Sequence, residues 1–226
     1  MKILSQGEEI RAQSFEAKMN SDSLLIDIHG SRVLSNAPLN GGLRKAGSLV
    51  NYSLYGKKDC ENMPVEYLRK IIESMNIDPS NTVGLMTGVK PDSFLFSDEE
   101  LVSSFLSVGN DNAASPLDGL KYSGAGTINI IVLCRVKLTD GAMVDAYKTA
   151  TEAKSYSLLS RRVKSQFSER TATGTITDVT AIVQNNTGDE YRYAGTGTDL
   201  GSSISRSIYN GISYALDHFY GYSEVM

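Results

Sequence analysis

Two carboxylates in this 226-residue sequence are the first candidates for acid–base chemistry. Glu152 lies within Thr149-Ala-Thr-Glu-Ala-Lys154, where small neighbours leave room for a bulky ligand, and Asp178 stands between a threonine-rich block and an apolar run. A carboxylate in such a position can act as a general base, so both are predicted catalytic residues. Two simpler interpretations stay open, because Glu152 can pair with Lys148 one turn earlier and Asp178 can form a turn.

Two asparagines are candidates for holding an amide carbonyl. Asn40 precedes Gly41 and Gly42 at the start of a predicted helix, where unpaired backbone N–H groups attract anions, so we predict that it stabilises an oxyanion. Asn129 lies inside the apolar block Gly126-Thr-Ile-Asn-Ile-Ile131. Burying an unpartnered amide is costly, and Asn129 is therefore either hydrogen-bonded within the core or exposed to a cavity.

Short blocks rich in glycine, asparagine, threonine and serine stand at the ends of apolar runs or at the starts of helical ones. These residues add little to a core, so we expect the blocks to converge on one site for a large ligand rich in amides or oxyanions. The predicted ligand-binding residues are Asn36, Gly41, Gly42, Thr87, Asn129, Thr173, Thr175, Thr196 and Thr198.

Two of these blocks carry alternatives. Thr173 or Thr175 would serve as a nucleophile, but the sequence places no evident base beside either of them. The turn Thr196-Gly-Thr-Asp199 would receive a phosphate, or Thr198 or Asp199 would simply cap the last helix.

Histidine and cysteine usage restricts the mechanism. His29 lies in a predicted turn and His218 near a helix C-terminus, where structural roles are expected, so a Ser-His-Asp triad is not predicted. Cys134 lies among aliphatic residues, which is typical of a buried and inert thiol, and Cys60 lies in a charged loop. The spacing supports neither a disulfide framework nor a metal site, and no cofactor is predicted.

Composition excludes several classes of partner. The formal net charge is −4 and the 22 Lys and Arg residues are dispersed, which argues against nucleic-acid binding. No stretch approaches the roughly 18 apolar residues of a membrane span, and the N-terminus turns acidic too early for a signal peptide. We therefore expect a cytoplasmic protein without a membrane or nucleic-acid partner, and a homo-oligomer is compatible with the sequence.

Apolar periodicity predicts the elements that must position these residues. A hairpin is predicted over 23–35, with Gly30 in its turn. The fold class is α/β with mixed α+β character: one layered domain over 1–226, with a mixed β-sheet packed against long amphipathic helices. The predicted helices are 43–54, 64–76, 141–162 and 199–219, and the main strands are 82–86, 93–97, 101–108, 127–137 and 176–184.

Six ordered blocks resemble the adenosylcobinamide amidohydrolase (CbiZ) family. They are Val33-Leu-Ser-Asn-Ala-Pro-Leu-Asn-Gly-Gly42, Val83-Gly-Leu-Met-Thr87, Gly126-Thr-Ile-Asn-Ile-Ile131, Ala150-Thr-Glu-Ala-Lys154, Thr173-Gly-Thr175 with Asp178, and Tyr193-Ala-Gly-Thr196 followed by Thr198 and Leu200-Gly201. The resemblance spans about residues 30 to 210. It implies a corrinoid substrate whose amide to aminopropanol, or to its phosphate, is hydrolysed to give adenosylcobyric acid in corrinoid salvage.

Two positions depart from the family pattern. Ile176 stands in place of a glycine, and Gly197 stands where many members carry a histidine before Thr198. If that histidine is the general base of the family, this chain lacks it. The alternative function is therefore a noncatalytic corrinoid- or tetrapyrrole-binding relative that has lost turnover.

Overall fold

A computed structural model describes residues 1–12, 14–57, 64–119 and 127–224 of the chain. Two large sheets and three α-helices make up most of these residues. The helices are α1 (Pro64–Ser74), α2 (Asp140–Ser160) and α3 (Asp199–Tyr220). The strands are β1 (Lys2–Ile3), β2 (Glu9–Ala12), β3 (Phe15–Met19), β4 (Ser23–Asp27), β5 (Arg32–Ser35), β6 (Gly42–Lys45), β7 (Ser48–Ser53), β8 (Thr82–Thr87), β9 (Leu95–Asp98), β10 (Val102–Val108), β11 (Ala113–Ala114), β12 (Ile128–Cys134), β13 (Lys137–Leu138), β14 (Gly174–Thr175), β15 (Val179–Val183) and β16 (Glu190–Tyr191).

The strands form one seven-stranded and one five-stranded sheet. The order of the first is β1-β9-β10-β12-β15-β5-β6, and that of the second is β2-β3-β4-β7-β8. Two short pairs, β11 with β14 and β13 with β16, accompany them. Each large sheet contains one parallel pair: β12 and β15 are joined through α2, and β7 and β8 are joined through α1. The mixed α/β class predicted from the sequence is confirmed, and each large sheet is mixed.

Three apolar clusters lie between the layers of the fold. One cluster packs α2 and α3 on the seven-stranded sheet, and a second fills the space between the two sheets. The third packs α1 on the outer face of the five-stranded sheet. The layers therefore run from α2 and α3 through both sheets to α1.

Strand β12 shows why a central strand reads as continuously apolar. All seven of its residues are buried. Ile130 and Val132 point to the helices, whereas Ile131 and Leu133 point to the five-stranded sheet. Both faces are covered, as the sequence predicts for this segment.

The three predicted amphipathic helices over 64–76, 141–162 and 199–219 are confirmed within a few residues. Thr139 is the N-cap of α2, and its Oγ1 accepts from the Ala142 N–H at 3.2 Å. Thr198 caps α3, one of the two predicted residues.

Two local predictions are wrong. The predicted helix over 43–54 is instead β6 and β7. Leu49 and Val50 are both buried because they point to opposite faces of a sheet that is covered on both sides. The apolar pattern of such a strand cannot be distinguished from that of a short helix. The predicted hairpin is also not formed: a turn joins β4 to β5, but the two strands belong to different sheets.

Two further findings concern membrane-spanning helices and the cysteines. Among the described residues no helix is long and apolar enough to cross a membrane. Cys134 is buried as predicted, and burial raises the pKa of its thiol to about 12. Cys60 lies outside the described residues.

Candidate functional site

Several predicted site residues meet at one edge of the seven-stranded sheet. The end of β10 lies beside the start of β12, which runs parallel to the start of β15. The end of β5 pairs with β15 at the same edge. Polar side chains from these strand ends form a connected set of hydrogen bonds around Asp178, which we call the Asp178 network.

The carboxylate of Asp178 is the centre of this network. Its Oδ1 accepts from the Thr175 hydroxyl at 2.5 Å and from the Ile128 N–H at 3.0 Å. Its Oδ2 accepts from the Thr175 N–H at 3.0 Å and forms an ion pair with Lys154. The side chains of Lys154 and Asp178 are only 12% and 10% exposed, so water screens this pair little.

Gly174 is required for this close arrangement. A Cβ at this position would lie 2.3 Å from Asp178 Oδ2 and 2.8 Å from Lys154 Nζ. Such distances are far below van der Waals contact, so any larger residue would displace the ion pair. The glycine of the threonine-rich block therefore allows the backbone to approach two charged groups.

Asn36 ties the network to the neighbouring strand. Its Nδ2 donates to the Asp178 carbonyl oxygen, and its Oδ1 accepts from the Thr180 N–H, both at 2.8 Å. The side chain thus bridges the end of β5 and the start of β15. Its donor and acceptor are both used in holding the backbone that carries Asp178.

The structure answers the question that the sequence left open for Asn129. The residue is fully buried, and its Nδ2 donates to Asn51 Oδ1 and to the Met86 carbonyl oxygen, both at 2.8 Å. Its Oδ1 accepts from the Thr127 hydroxyl at 3.2 Å. Asn129 is therefore hydrogen-bonded within the core, between the two sheets. The Thr127 hydroxyl also contacts the carbonyl oxygen of Thr177, which links this core amide to the Asp178 network.

A face of α2 completes the surroundings of Asp178. Tyr147, Thr151 and Lys154 are spaced by one turn, are all half-buried, and so share one side of the helix. Burial and the nearby Asp178 carboxylate raise the pKa of the Tyr147 phenol. Ser155 donates to the carbonyl oxygen of Thr173 at 3.1 Å, which fixes the threonine-rich block against the same helix.

Asn40 lies outside the network. No helix begins at residue 43, which removes the reason for predicting an anion site there. The amide of Asn40 donates to the carbonyl oxygens of Pro79 and Thr82, at the start of β8, whereas Asn129 contacts the far end of that strand. Asn40 has a positive φ of 58°, so its local role is a turn held to the next loop.

The neighbouring glycines and Thr87 have evident structural roles. A Cβ on Gly41 would lie 2.5 Å from the Ala37 carbonyl oxygen, and Gly42 has a φ of +94°. The buried hydroxyl of Thr87 accepts from the Val89 N–H at 3.1 Å and shapes the turn after β8.

Glu152, Thr196 and Thr198 form a second group. Glu152 is exposed and lies two residues from Lys154, about 200° around the helix, so it faces away from Asp178. It lines a groove of about 340 Å³ between α2 and α3, together with Thr196, Tyr156 and Arg206. The Thr198 hydroxyl accepts from the Gly201 N–H at 3.0 Å as the cap of α3. The predicted composite site is thus divided by α2 into two parts.

Lys154 is the functional candidate that sequence reasoning missed. Its type and its place in the Thr149–Lys154 block were visible, but its partner Asp178 lies 24 residues further along the chain. Only the docking of α2 beside β15 brings the two charges together. Within the residues that the structure describes, no group of three His, Cys, Asp or Glu side chains could hold a metal ion.

Comparisons with known proteins agree over most of the chain. A family model described as adenosylcobinamide amidohydrolase matches residues 5–224. The chain is 26% identical over 205 residues to a Methanosarcina mazei protein named adenosylcobinamide amidohydrolase, covering 87% of this chain and 95% of that protein. It is also 37% identical over 92 residues to an uncharacterized Methanocaldococcus jannaschii protein, covering 40% of this chain and 36% of that protein.

Proposed function

Because this chain belongs to the adenosylcobinamide amidohydrolase family, we propose that it hydrolyses the amide joining aminopropanol, or its phosphate, to the corrin ring of adenosylcobinamide. The products are adenosylcobyric acid and aminopropanol or its phosphate. One observation carries the assignment of the chemistry to the Asp178 network: the Thr175 hydroxyl donates at 2.5 Å to a carboxylate that is also paired with a lysine. That carboxylate supplies the base that the sequence alone did not place beside Thr175.

In the proposed reaction Thr175 is the nucleophile. Its Oγ1 attacks the amide carbonyl carbon while its proton passes to Asp178 Oδ1, with which it is already hydrogen-bonded. The Lys154 ammonium donates a proton to the leaving nitrogen, the C–N bond breaks, and an ester to Thr175 remains. Water then attacks the ester and gives its proton to Lys154, and Asp178 returns its proton to the Thr175 oxygen. Protons balance over the cycle.

The other candidate residues have different roles in this proposal. Asn36 and Gly174 position Asp178 and leave space for it. Glu152 stays the alternative base, because it lines the groove on the other side of α2. Asn40 is left out of the reaction, since both hydrogen bonds of its amide go to backbone carbonyls.

The direct test is turnover of adenosylcobinamide by the purified protein, with adenosylcobyric acid resolved by chromatography. Thr175→Val keeps the branched shape but removes the nucleophile, so we expect at least a hundredfold loss of kcat, with Thr175→Ser restoring part of it. Asp178→Asn should lose as much. Asp217→Asn breaks a different ion pair, that of Asp217 on α3 with Arg161 just after α2, and serves as the control for broken salt bridges.

Wild-type turnover by a correctly folded Thr175→Val variant would remove the nucleophile from the proposal. A large loss in Glu152→Gln with little loss in Asp178→Asn would move the reaction to the groove between α2 and α3. Both results are compared with thermal unfolding of the same variants, because the Asp178 carboxylate also accepts from two backbone N–H groups, those of Ile128 and Thr175.

A second candidate function, a noncatalytic corrinoid-binding protein, is favoured by one feature of the network. Four donors already contact the Asp178 carboxylate. This arrangement suits a structural centre as well as a base. Tight binding of adenosylcobinamide without any adenosylcobyric acid would select this function over the enzyme.

A further inference from the structure

One buried side chain, that of Asn112, has no hydrogen-bond partner among the described residues for either of its polar atoms. The residue is 3% exposed. Among the described residues, the other buried side-chain atoms without a hydrogen-bond partner are serine hydroxyls and one oxygen of Glu8. Glu8 forms an ion pair with Lys2. Asn112 differs from them because an amide carries two donors and an acceptor, and here all of them are unused.

The two chain neighbours of Asn112 lie at a cavity and at the Asp178 network. The preceding residue, Asp111, lines a cavity of about 340 Å³ at the end of β10, together with Gly109 and Tyr220. The following residue, Ala113, begins β11 and is paired with Thr175. Asn112 therefore lies in the chain between a residue that lines a cavity and a residue that pairs with Thr175.

We propose that Asn112 binds a carboxamide of the substrate, with Nδ2 donating to its carbonyl oxygen and Oδ1 accepting from its N–H. This inference rests on the proposed function, since a substrate of that reaction carries amide groups. A primary amide offers one acceptor and one donor side by side, which is the complement of the Asn112 side chain. The amide is covered in the free protein, so a neighbouring group has to shift before the ligand reaches it.

The free protein should be less stable than it could be at this position. A buried polar group without a partner costs stability, and replacing it with an apolar group of similar shape removes that cost. A ligand that satisfies the group recovers the cost only in the complex. Asn112 would then lower the stability of the free protein and strengthen the binding of the substrate.

The decisive variant is Asn112→Leu. We expect its thermal midpoint to rise by about 2–4 °C, while the KM for adenosylcobinamide rises at least tenfold and kcat changes less. Ser207→Ala is the matched control, because it removes a buried hydroxyl of α3 that also has no partner among the described residues. That control should gain stability with an unchanged KM.

A second measurement does not depend on turnover. The side-chain NH2 signals of Asn112, identified by their absence from the Leu variant, are followed in a ¹⁵N NMR spectrum during titration with propionamide. We expect these signals to shift at lower probe concentration than those of Asn110, whose amide already contacts the Tyr222 hydroxyl.

The outcomes separate the two proposals. If the wild type shows no turnover but the Asn112 signals shift, the proposed function fails and the amide site stands. The inference would be overturned by any one of three results. These are a loss of stability in the Leu variant, a wild-type KM in the Leu variant, or no shift of the Asn112 signals during the titration. Should the Leu variant fail to fold, the KM of Asn112→Ala decides, and a wild-type value counts against the inference.

Discussion

Asp118 joins two surface loops through hydroxyl groups, and its carboxylate should make stability depend on pH. Hydrogen bonds from Ser165 and Ser168, the Ser115 N–H and the nearby Arg170 lower the pKa of this carboxyl to about 2. A carboxyl whose pKa is lowered on folding contributes stability that is present above its unfolded pKa of about 3.9 and is lost as the pH falls towards 2.

We therefore expect Asp118→Asn to lower the thermal midpoint at pH 7, and the difference from the wild type to shrink between about pH 4 and pH 2. Thermal unfolding across this range measures it. Ser168→Ala removes one of the hydroxyl donors and should give a smaller loss in the same pH range. A difference that stays constant from pH 7 to pH 2 would contradict the role of the ionised carboxylate.

The sequence shows which residue types could form the site, but not which residues they contact. Asp178 was predicted as a base because it follows a threonine-rich block, and the structure places the Thr175 hydroxyl against it. Lys154 was missed because its contact depends on how α2 lies over β15. Asn129 was singled out by its type, and only its neighbour Asn51 on the other sheet shows that it belongs to the core.

The loop that leads into α3 packs against the first turn of that helix through Gly201. A Cβ on Gly201 would lie 2.0 Å from the Gly195 carbonyl oxygen, whereas a Cβ on Gly197 meets no atom within 4 Å. Gly201→Ala should therefore force the loop away from the helix and destabilise the protein by about 1–3 kcal/mol.

Gly197→Ala is the matched control for that substitution, four residues earlier and within the loop itself. We expect it to change the free energy of unfolding by less than about 0.5 kcal/mol, measured by urea unfolding beside Gly201→Ala. Equal effects of the two substitutions would show that the loop does not pack as closely on α3 as the structure indicates.

The length of an apolar pattern decided which elements were predictable. The patterns of α2 and α3 extend over 21 and 22 residues, and sustained helical spacing of that length has no strand alternative. The pattern over 43–54 is short, and it belongs to strands whose residues are buried on both faces of a sheet. Local spacing cannot separate a short helix from such a strand.

Sheet membership depends on the whole molecule rather than on any local pattern. The turn at His29 and Gly30 has the positive φ values expected of a tight connection, and the sequence predicts it. The flanking strands nevertheless enter different sheets, because β5 pairs with β15, more than 140 residues further along the chain. Contacts of that sequence separation leave no signature in the turn itself.

The amide pair Asn51 and Asn129 shows how the two large sheets are held in register. Asn129 from β12 donates to Asn51 Oδ1 on β7, and Asn51 donates to the Ser107 hydroxyl on β10 at 3.1 Å. Both asparagines are almost completely buried between the two sheets. A slip of one sheet over the other would leave these groups without partners.

Asn129→Leu should cost about 2–3 kcal/mol in the free energy of unfolding, because Asn51 and the Met86 carbonyl oxygen lose their donor while still buried. The double variant with Asn51→Leu removes both amides, so its loss should be smaller than the sum of the two single losses. Urea unfolding of all four proteins gives the coupling energy. Strict additivity would mean that the two amides act independently, and the register of the sheets would then rest on apolar packing alone.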